Sequence, residues 1–244
     1  KARPHPGRLR WLLSAVVGVA LIAGAVFWLP GALTRQTVLL VPEAKRVEIG
    51  DALLDEIGRL AGPVCDSPRA RVALARLSTR VLGPPAPRIV LVPSAIPDTV
   101  SLPGGLIVAS AALTEDYETP EVLAGHLLAE DLRSDMADPM LTLLEEAGLF
   151  PTLRLLTTGD LTDETLHEHA VRLLSREAAR VPDAPLIERF AEARISTEPF
   201  AYARDVSGES VLALIEADPM RGEAREPLMS DEGWLSLQNV CVGG

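Results

Sequence analysis

The fold is decided by a stretch in the middle of the chain, Pro120-Glu121-Val122-Leu123-Ala124-Gly125-His126-Leu127-Leu128-Ala129-Glu130-Asp131-Leu132-Arg133. Thr119 just before this stretch and Pro120 at its start are typical of the beginning of an α-helix. The pair Asp138-Pro139 after it is typical of a helix end. His126, Glu130 and Arg133 recur at positions i, i+4 and i+7, so a helix places their side chains on one face. We therefore predict a helix that carries ionisable groups along one side.

Two segments resemble HtpX-like membrane-associated zinc metallopeptidases. The first, Asp98-Thr99-Val100-Ser101-Leu102-Pro103-Gly104-Gly105-Leu106-Ile107-Val108, is similar to an N-A-F-A-L-P-G-G-x-I-x-V block of that family. The second is the helix above, which resembles the family's E-L-A-G-V-L-A-H-E-x-x-H helix. In this register Ala129 and Arg133 stand where the two zinc-binding histidines would be, and Glu130 stands at the glutamate between them.

The resemblance extends over about residues 45–215 and includes the family's third zinc ligand, a glutamate on a later helix. Glu198 stands at that position in a degenerate match, Glu198-Pro199-Phe200-Ala201-Tyr202-Ala203. A catalytic zinc needs three protein ligands and one open position. Alanine has no ligand atom, and arginine stays protonated and offers no lone pair. The resemblance therefore implies a catalytically inactive pseudoenzyme in which we expect no catalytic residue, no bound metal and no cofactor.

The vacated site would leave Glu130 and Glu198 facing each other without a cation. Buried carboxylates without a partner are costly and tend to take up protons. Arg133 lies one turn along from Glu130 and offers a planar, bidentate cation. We therefore expect Arg133 to pair with Glu198, Glu130 or both. The alternative is that its side chain extends into solvent.

A relocated metal site is the alternative that would keep the protein an enzyme. His126 and Glu130 lie four residues apart on one helical face and would be joined by Glu198 as a third ligand. The adjacent Arg133 argues against this site, since its positive charge repels a metal ion. The competing interpretation of His126 is a histidine on a helix surface at a partly open cleft.

Two apolar runs, 89–92 and 106–109, predict β-strands, and the residues between them, 93–105, predict a loop rich in proline and glycine. The resemblance implies that the second strand is the edge strand along which an extended substrate lies. Pairing of this kind uses backbone hydrogen bonds and does not need the zinc. The residues of that strand are Leu106, Ile107, Val108 and Ala109.

Residues 11–29 contain no charged side chain. About 20 apolar residues in a helix cross the hydrocarbon core of a bilayer. Basic residues precede the run and acidic residues do not, so the positive-inside rule places the N-terminus in the cytoplasm. We expect an uncleaved single-pass helix in the lipid bilayer of a bacterial inner membrane, with the main domain in the periplasm. A cleaved signal peptide is the alternative.

Small residues recur four apart along the same run, as Ser14 with Gly18 and as Ala20 with Gly24. Such pairs let helices approach closely in lipid. They favour packing against another membrane protein, although alanine and glycine are also simply common in membrane helices.

The charge is divided unevenly along the chain. Residues 1–35 hold five of the 23 basic residues and none of the 34 acidic ones, so the remainder carries 18 basic against 34 acidic side chains, a net charge of −16. A domain this acidic is a poor binder of nucleic acid and of anionic lipid. It would stand away from lipid headgroups or meet a basic partner, and the alternative is that the charge only keeps the domain soluble.

The chain has two cysteines, Cys65 and Cys241. Both follow the predicted membrane segment, and in an oxidising compartment such a pair predicts a disulfide. Neither has a neighbourhood typical of a nucleophile, and two cysteines do not make a zinc site.

The predicted fold is α+β and mainly helical, with one N-terminal transmembrane helix and a metallopeptidase-like domain that contains a small β-sheet. Helical periodicity predicts, among others, a helix over 162–181. The boundaries are a cytoplasmic tail 1–10, a transmembrane helix 11–30, a linker 31–46, the metallopeptidase-like domain 47–217, and a tail 218–244 with a short helix.

The predicted function is binding, as an accessory subunit or adaptor of a larger membrane protein complex (respiratory, photosynthetic or quality-control). The resemblance carries the prediction of an inactive site, while the acidic domain and the small residues of the membrane segment favour a protein partner. Two alternatives stay open, an active zinc metallopeptidase with relocated ligands and a periplasmic peptide-binding module.

Overall fold

The computed structural model describes residues 6–93, 96, 98–224 and 226–241. Within these ranges the chain is mainly helical, with one small sheet and a 3-10 turn at Glu209–Val211. The helices are α1 (Pro6–Leu40), α2 (Glu43–Ala61), α3 (Pro68–Leu82), α4 (Ala112–Glu115), α5 (Pro120–Met136), α6 (Pro139–Ala147), α7 (Leu149–Thr158), α8 (Asp163–Ser175), α9 (Asp183–Ala193), α10 (Glu198–Arg204), α11 (Leu212–Glu216) and α12 (Asp231–Gln238).

The first helix, α1, is longer than the predicted membrane span and does not end at Pro30. It continues to Leu40, and its last turns pack against α6 and α7. Thr37 and Val38 are buried in this contact, and the Thr37 hydroxyl donates to the carbonyl of Leu33 at 2.8 Å. The predicted linker 31–46 is therefore mostly helical and is part of the folded domain.

The prediction of a membrane-spanning helix at 11–30 is wrong. Among the residues that the structure describes, no helix combines the length and the apolarity needed to cross a bilayer. The run belongs instead to the long helix α1, whose C-terminal end carries polar residues and packs onto the domain. The transmembrane part of the predicted fold and the single-pass inner-membrane localisation are corrected accordingly.

The predicted packing positions on α1 are Ser14, Gly18, Ala20 and Gly24. A Cβ at Gly18 or Gly24 would meet no atom within 4 Å, and Ser14 is exposed. The side chain of Ala20 lies outside the described residues, as do residues 1–5 of the predicted tail. What these residues contact in another protein stays a prediction.

The sheet has three strands in the order β1-β3-β2, with β1 at Arg88–Val92, β2 at Thr99–Leu102 and β3 at Leu106–Ser110. β1 is parallel to β3, and β2 is antiparallel to it. All five residues of β3 are buried, as expected for an apolar strand covered on both faces. The predicted loop 93–105 therefore contains a strand, β2, that the sequence analysis missed.

The sheet lies between two layers of helices. Ile107 and Ala109 of β3 join the core formed mainly with α3, α5, α9, α10 and α12. Leu106 and Val108 point the other way, into the core formed with α2, α6 and α8. Since successive side chains of a strand alternate between its faces, one five-residue strand contributes to both cores and fixes α5 on one side of the sheet.

The close approach of α2 to the turn before β3 depends on glycine. A Cβ at Gly50 would lie 2.1 Å from the carbonyl oxygen of Pro103, whereas a Cβ at Gly58 would meet nothing within 4 Å. We expect Gly50→Ala to lower the free energy of unfolding by about 1–3 kcal/mol because the backbone must shift. Gly58→Ala, on the same helix, should raise it by about 0.5–1 kcal/mol through helix propensity. Urea unfolding of both variants checks this, and equal effects would contradict it.

The predicted disulfide is confirmed, since Cys65 and Cys241 are bonded across 176 residues of sequence. The amide of Cys65 also donates to the carbonyl of Leu91 on the outer edge of β1 at 2.8 Å. The bond therefore ties the segment after α12 to the edge of the sheet.

Candidate functional site

The candidate site is built on α5, the most deeply buried helix of the domain. Every residue from Val122 to Glu130 is buried, so the side chains of His126 and Glu130 lie inside the protein. Gly125 makes this packing possible, because a Cβ there would lie 2.5 Å from the Cβ of Phe200 on α10. The helix thus meets α10 on one side and β2 on another.

The carboxylate of Glu130 is buried and both of its oxygens accept hydrogen bonds. Oε1 accepts from the backbone amide of Ser101 at 2.6 Å. Oε2 accepts from the hydroxyl of Thr99 at 3.1 Å and from the guanidinium of Arg133. Two of the three donors belong to β2, so Glu130 fastens the edge of the sheet to α5.

The side chain of Arg133 is 18% exposed and pairs with Glu130, one of the two partners expected for it. Its Nε donates to the carbonyl of Ala179 at 3.0 Å. Burial lowers the pKa of Arg133 from its ordinary value, with Asp98 opposing this effect and Arg204 adding to it. A fixed positive group therefore joins α5 to a segment from elsewhere in the chain.

The other two positions carried over from the resemblance are Ala129 and Glu198. Ala129 is 1% exposed and lines a small cavity that Arg133 also borders. Glu198 is half-buried at the start of α10, and its amide donates to the hydroxyl of Ser196 at 3.3 Å. Glu198 is not among the described residues that line the cavities beside Arg133.

Two cavities flank Arg133. The larger, of about 320 Å³, lies along β2 and is bordered by Thr99, Ser101 and Glu130. The smaller, of about 250 Å³, is bordered by His126 and Ala129 among others. Glu130 and His126 thus border different cavities, with Arg133 between them. Residues 177–181 line both cavities.

The relocated metal site would need His126, Glu130 and Glu198 to converge. Within the described ranges, no group of three or more histidine, cysteine, aspartate or glutamate side chains is arranged to hold a metal ion. The structure therefore does not bring these three residues together as one ligand set.

His126 is buried and lies edge-on to the ring of Phe200, with 5.0 Å between the ring centroids. Its Nδ1 is 3.6 Å from a carboxylate oxygen of Asp98. Burial lowers its pKa to about 4, with Asp98 opposing the shift and Arg133 and Arg204 adding to it. The imidazole is therefore neutral at pH 7. The prediction of a helix-surface histidine is wrong, because α10 covers this part of α5.

The lowered pKa of His126 predicts a loss of stability in acid. The unfolded chain, with a pKa near 6.5, binds more protons than the folded protein between pH 6.5 and about 4. The stability that the neutral imidazole of His126 contributes is thus complete above pH 6.5 and is lost as the pH falls towards 4. We expect the free energy of unfolding to fall by about 1–2 kcal/mol between pH 7 and pH 5 for this reason.

Urea unfolding at both pH values measures this loss, and His126→Gln should lack it because glutamine does not titrate. Burial also lowers the pKa of His169. This shift lowers stability in acid equally in the parent protein and in the His126→Gln variant. The difference between the two proteins therefore isolates His126. A variant that loses as much stability on acidification as the parent protein would contradict the prediction.

The edge strand beside α5 is β2. The prediction that residues 106–109 form the edge strand is wrong. Leu106, Ile107, Val108 and Ala109 belong to β3, which is the central strand and is paired on both sides. Alternate residues of an antiparallel strand direct their backbone groups to opposite edges. Since the amide of Ser101 faces Glu130, the backbone groups of β2 that face away from β3 are those of Thr99 and Ser101.

The groups that complete the site were not predicted from the sequence. They come from β2 and from the segment between α8 and α9, which was predicted as the end of a helix over 162–181. The alternation of Thr99, Val100, Ser101 and Leu102 between polar and apolar side chains is the signal for a strand. No comparable signal marks 177–182, which are neither helical nor in a strand.

No protein-family model matches the chain, and no curated protein matches it. The likeness to HtpX-like metallopeptidases therefore rests on the motif residues themselves.

Proposed function

We propose that this chain is a catalytically inactive, metallopeptidase-like protein that acts by binding an extended segment of another protein. The observation that carries the proposal is the engagement of Glu130, whose two oxygens accept bonds from Thr99, Ser101 and Arg133. A carboxylate held in this way contributes to the structure of a cleft between α5 and β2.

The same contacts argue against catalysis by the mechanism of the resembled family. A general base must lie within hydrogen-bond reach of a reacting water, and in a zinc peptidase the metal makes that water reactive. Here the place of the second histidine carries Arg133, whose positive charge neutralises Glu130. The place of the first carries Ala129, which offers no ligand atom.

The cleft retains features that suit a peptide. Its cavity of about 320 Å³ borders the edge strand β2 and mixes apolar side chains with charged ones. Peptides that add to a sheet edge are selected by nearby pockets as well as by backbone hydrogen bonds. Because the outward amide of Ser101 already donates to Glu130, the pocket beside β2 would hold the peptide here. The acidic domain would attract a basic segment. Binding of this kind fits an adaptor or an accessory subunit of a larger protein complex.

The test combines three measurements on the purified full chain. These are metal content by plasma mass spectrometry, cleavage of an unfolded protein substrate, and binding of a panel of labelled peptides by fluorescence anisotropy. We expect peptide binding without cleavage and less than about 0.1 metal ion per chain, since two of the three zinc ligands are replaced. Stoichiometric zinc together with cleavage that Glu130→Gln abolishes would overturn the proposal. Glu188→Gln, an exposed change on α9, is the matched control.

A further inference from the structure

We propose that residues 176–182, called the strap below, are a built-in ligand of this cleft that a partner peptide of similar sequence displaces. The proposal rests on the proposed function and specifies the class of peptide that the cleft binds. It also implies that the cleft is occupied in the absence of a partner.

The strap crosses the site between two helices. α8 ends at Ser175 and α9 begins at Asp183, and residues 177–182 between them have no helical or strand structure. Residues 177–181 border both the cavity along β2 and the cavity beside Ala129. The strap therefore passes over the two positions at which the resembled family would carry its zinc-binding histidines.

The contact at the centre of the strap is the one that a bound peptide would make. Nε of Arg133 donates to the backbone carbonyl of Ala179 at 3.0 Å. A metal ion at this place would draw a peptide carbonyl towards it as a Lewis acid. Here a cation of the chain itself binds a peptide carbonyl of the chain. This contact involves no side chain of the strap, so a peptide supplied by another molecule can replace it.

The strap is fixed at its ends by Arg176 and Val181, and between them it is held by the exposed contacts of Ala179 and Arg180. The guanidinium of Arg176 contacts Glu146, and Arg180 donates to the carbonyl of Ser210 at 3.4 Å. Val181 is 3% exposed and belongs to the core that includes α5. Residues 177–180 are exposed. Segments with few buried contacts open at low free energy, so the middle of the strap can leave the cleft while the fold persists.

The sequence of the strap indicates the class of partner. Two small side chains, Ala178 and Ala179, lie at the contact with Arg133, and a basic and an aliphatic residue, Arg180 and Val181, follow. An extended peptide with the order small, small, basic would reproduce the contacts of residues 178–180, which lie in the part of the strap that leaves the cleft. Its basic residue also suits the acidic surface of the domain.

The experiment compares a labelled peptide with the strap sequence, Arg-Glu-Ala-Ala-Arg-Val-Pro, and a scrambled peptide of the same composition. Both are titrated into the wild-type chain, into Ala178→Gly/Ala179→Gly and into the control Ala217→Gly/Ala224→Gly. The control places the same two changes at exposed residues that line neither cavity. Glycine increases the freedom of the open strap, which favours the open state.

We expect the strap peptide to bind the Ala178→Gly/Ala179→Gly variant about tenfold more tightly than the wild type or the control, because apparent affinity rises with the open population. The scrambled peptide should bind neither variant measurably. In the wild type, added strap peptide should speed hydrogen exchange at residues 177–180.

The two proposals fail in different ways. If peptides of the panel bind the wild type and the glycine variant equally well, with unchanged exchange at 177–180, the strap proposal is overturned and the proposed function stands. A panel that binds with no preference for the strap sequence overturns the assigned peptide class in the same way. If no peptide binds even the glycine variant, the proposed function is overturned, and the strap proposal with it.

Discussion

Replacing Arg133 by methionine is expected to lower the free energy of unfolding by about 2–4 kcal/mol, because the change leaves a buried carboxylate without its cation. Removing one partner of a fully buried ion pair costs about 3–5 kcal/mol. The side chain of Glu130 is 7% exposed and that of Arg133 is 18% exposed, so water reaches this pair slightly and reduces the cost. Ser101 and Thr99 still donate to Glu130 in the variant. Urea unfolding at pH 7 measures the change.

A double-mutant cycle separates the loss of the pair from the loss of packing. The cycle uses Glu130→Gln, Arg133→Met and the double variant. The double variant removes both charges while an amide oxygen can still accept from the Ser101 amide, so it should recover part of the stability lost in Arg133→Met. Arg154→Met, on the exposed side of α7, is the matched control and should change stability by less than about 0.5 kcal/mol. If Arg133→Met is as mild as this control, Arg133 does not compensate Glu130 in solution.

Helices with local signals were predictable from the sequence. In α3, Ser67 and Pro68 mark the start, and the structure shows the Ser67 hydroxyl accepting from the amide of Ala70 at 3.1 Å. In α6, Asp138 caps the helix through the amide of Met140 at 2.8 Å. Each signal lies within three residues of the helix end that it determines, so no knowledge of the fold is needed to use it. The helix over Pro120–Met136 was also predicted from local signals, and there the structure shows proline in the first turn but no side-chain cap bond from Thr119.

Features that depend on distant partners were not predictable in the same way. β2 has only four residues, two of them polar, and it is stabilised by pairing with β3 and by Glu130. Its place at the edge, with β3 in the centre, follows from the parallel pairing of β1 and β3. That pairing joins residues 18 positions apart, such as Arg88 and Leu106. A short run of sequence between proline and glycine does not contain this information.

The strap shows the opposite conflict, because its residues favour a helix and residues 177–182 are not helical. Glutamate, alanine and arginine are good helix formers, so the periodicity of α8 was extended over 176–181. In the structure Arg176 is drawn to Glu146, Ala179 to Arg133 and Val181 into the core. Tertiary contacts therefore overcome local preference at a site that borders both cavities. Such conflicts between levels are expected where a segment has a function.

Replacing both Cys65 and Cys241 by alanine is expected to lower the free energy of unfolding by about 3–5 kcal/mol, the largest effect predicted for this chain. The disulfide joins residues separated by 176 positions. In the chain-entropy model, closing a loop of that length removes about 5 kcal/mol of freedom from the unfolded state. The bond also fixes the end of the chain beside α12, where Leu237 packs in the core next to α3. Without it, the last helix can detach before the rest of the domain unfolds.

Urea unfolding with and without reductant tests this expectation in one protein. Reductant should bring the stability of the wild type to that of the alanine variant and leave the variant unchanged, since the variant has no other cysteine. Hydrogen exchange should then be fastest in Asp231–Gln238, because this helix depends on the bond for its tether. A loss below about 1 kcal/mol would contradict this expectation. It would mean that α12 stays docked through its apolar contacts and that the disulfide restricts the unfolded chain less than the chain-entropy model assumes.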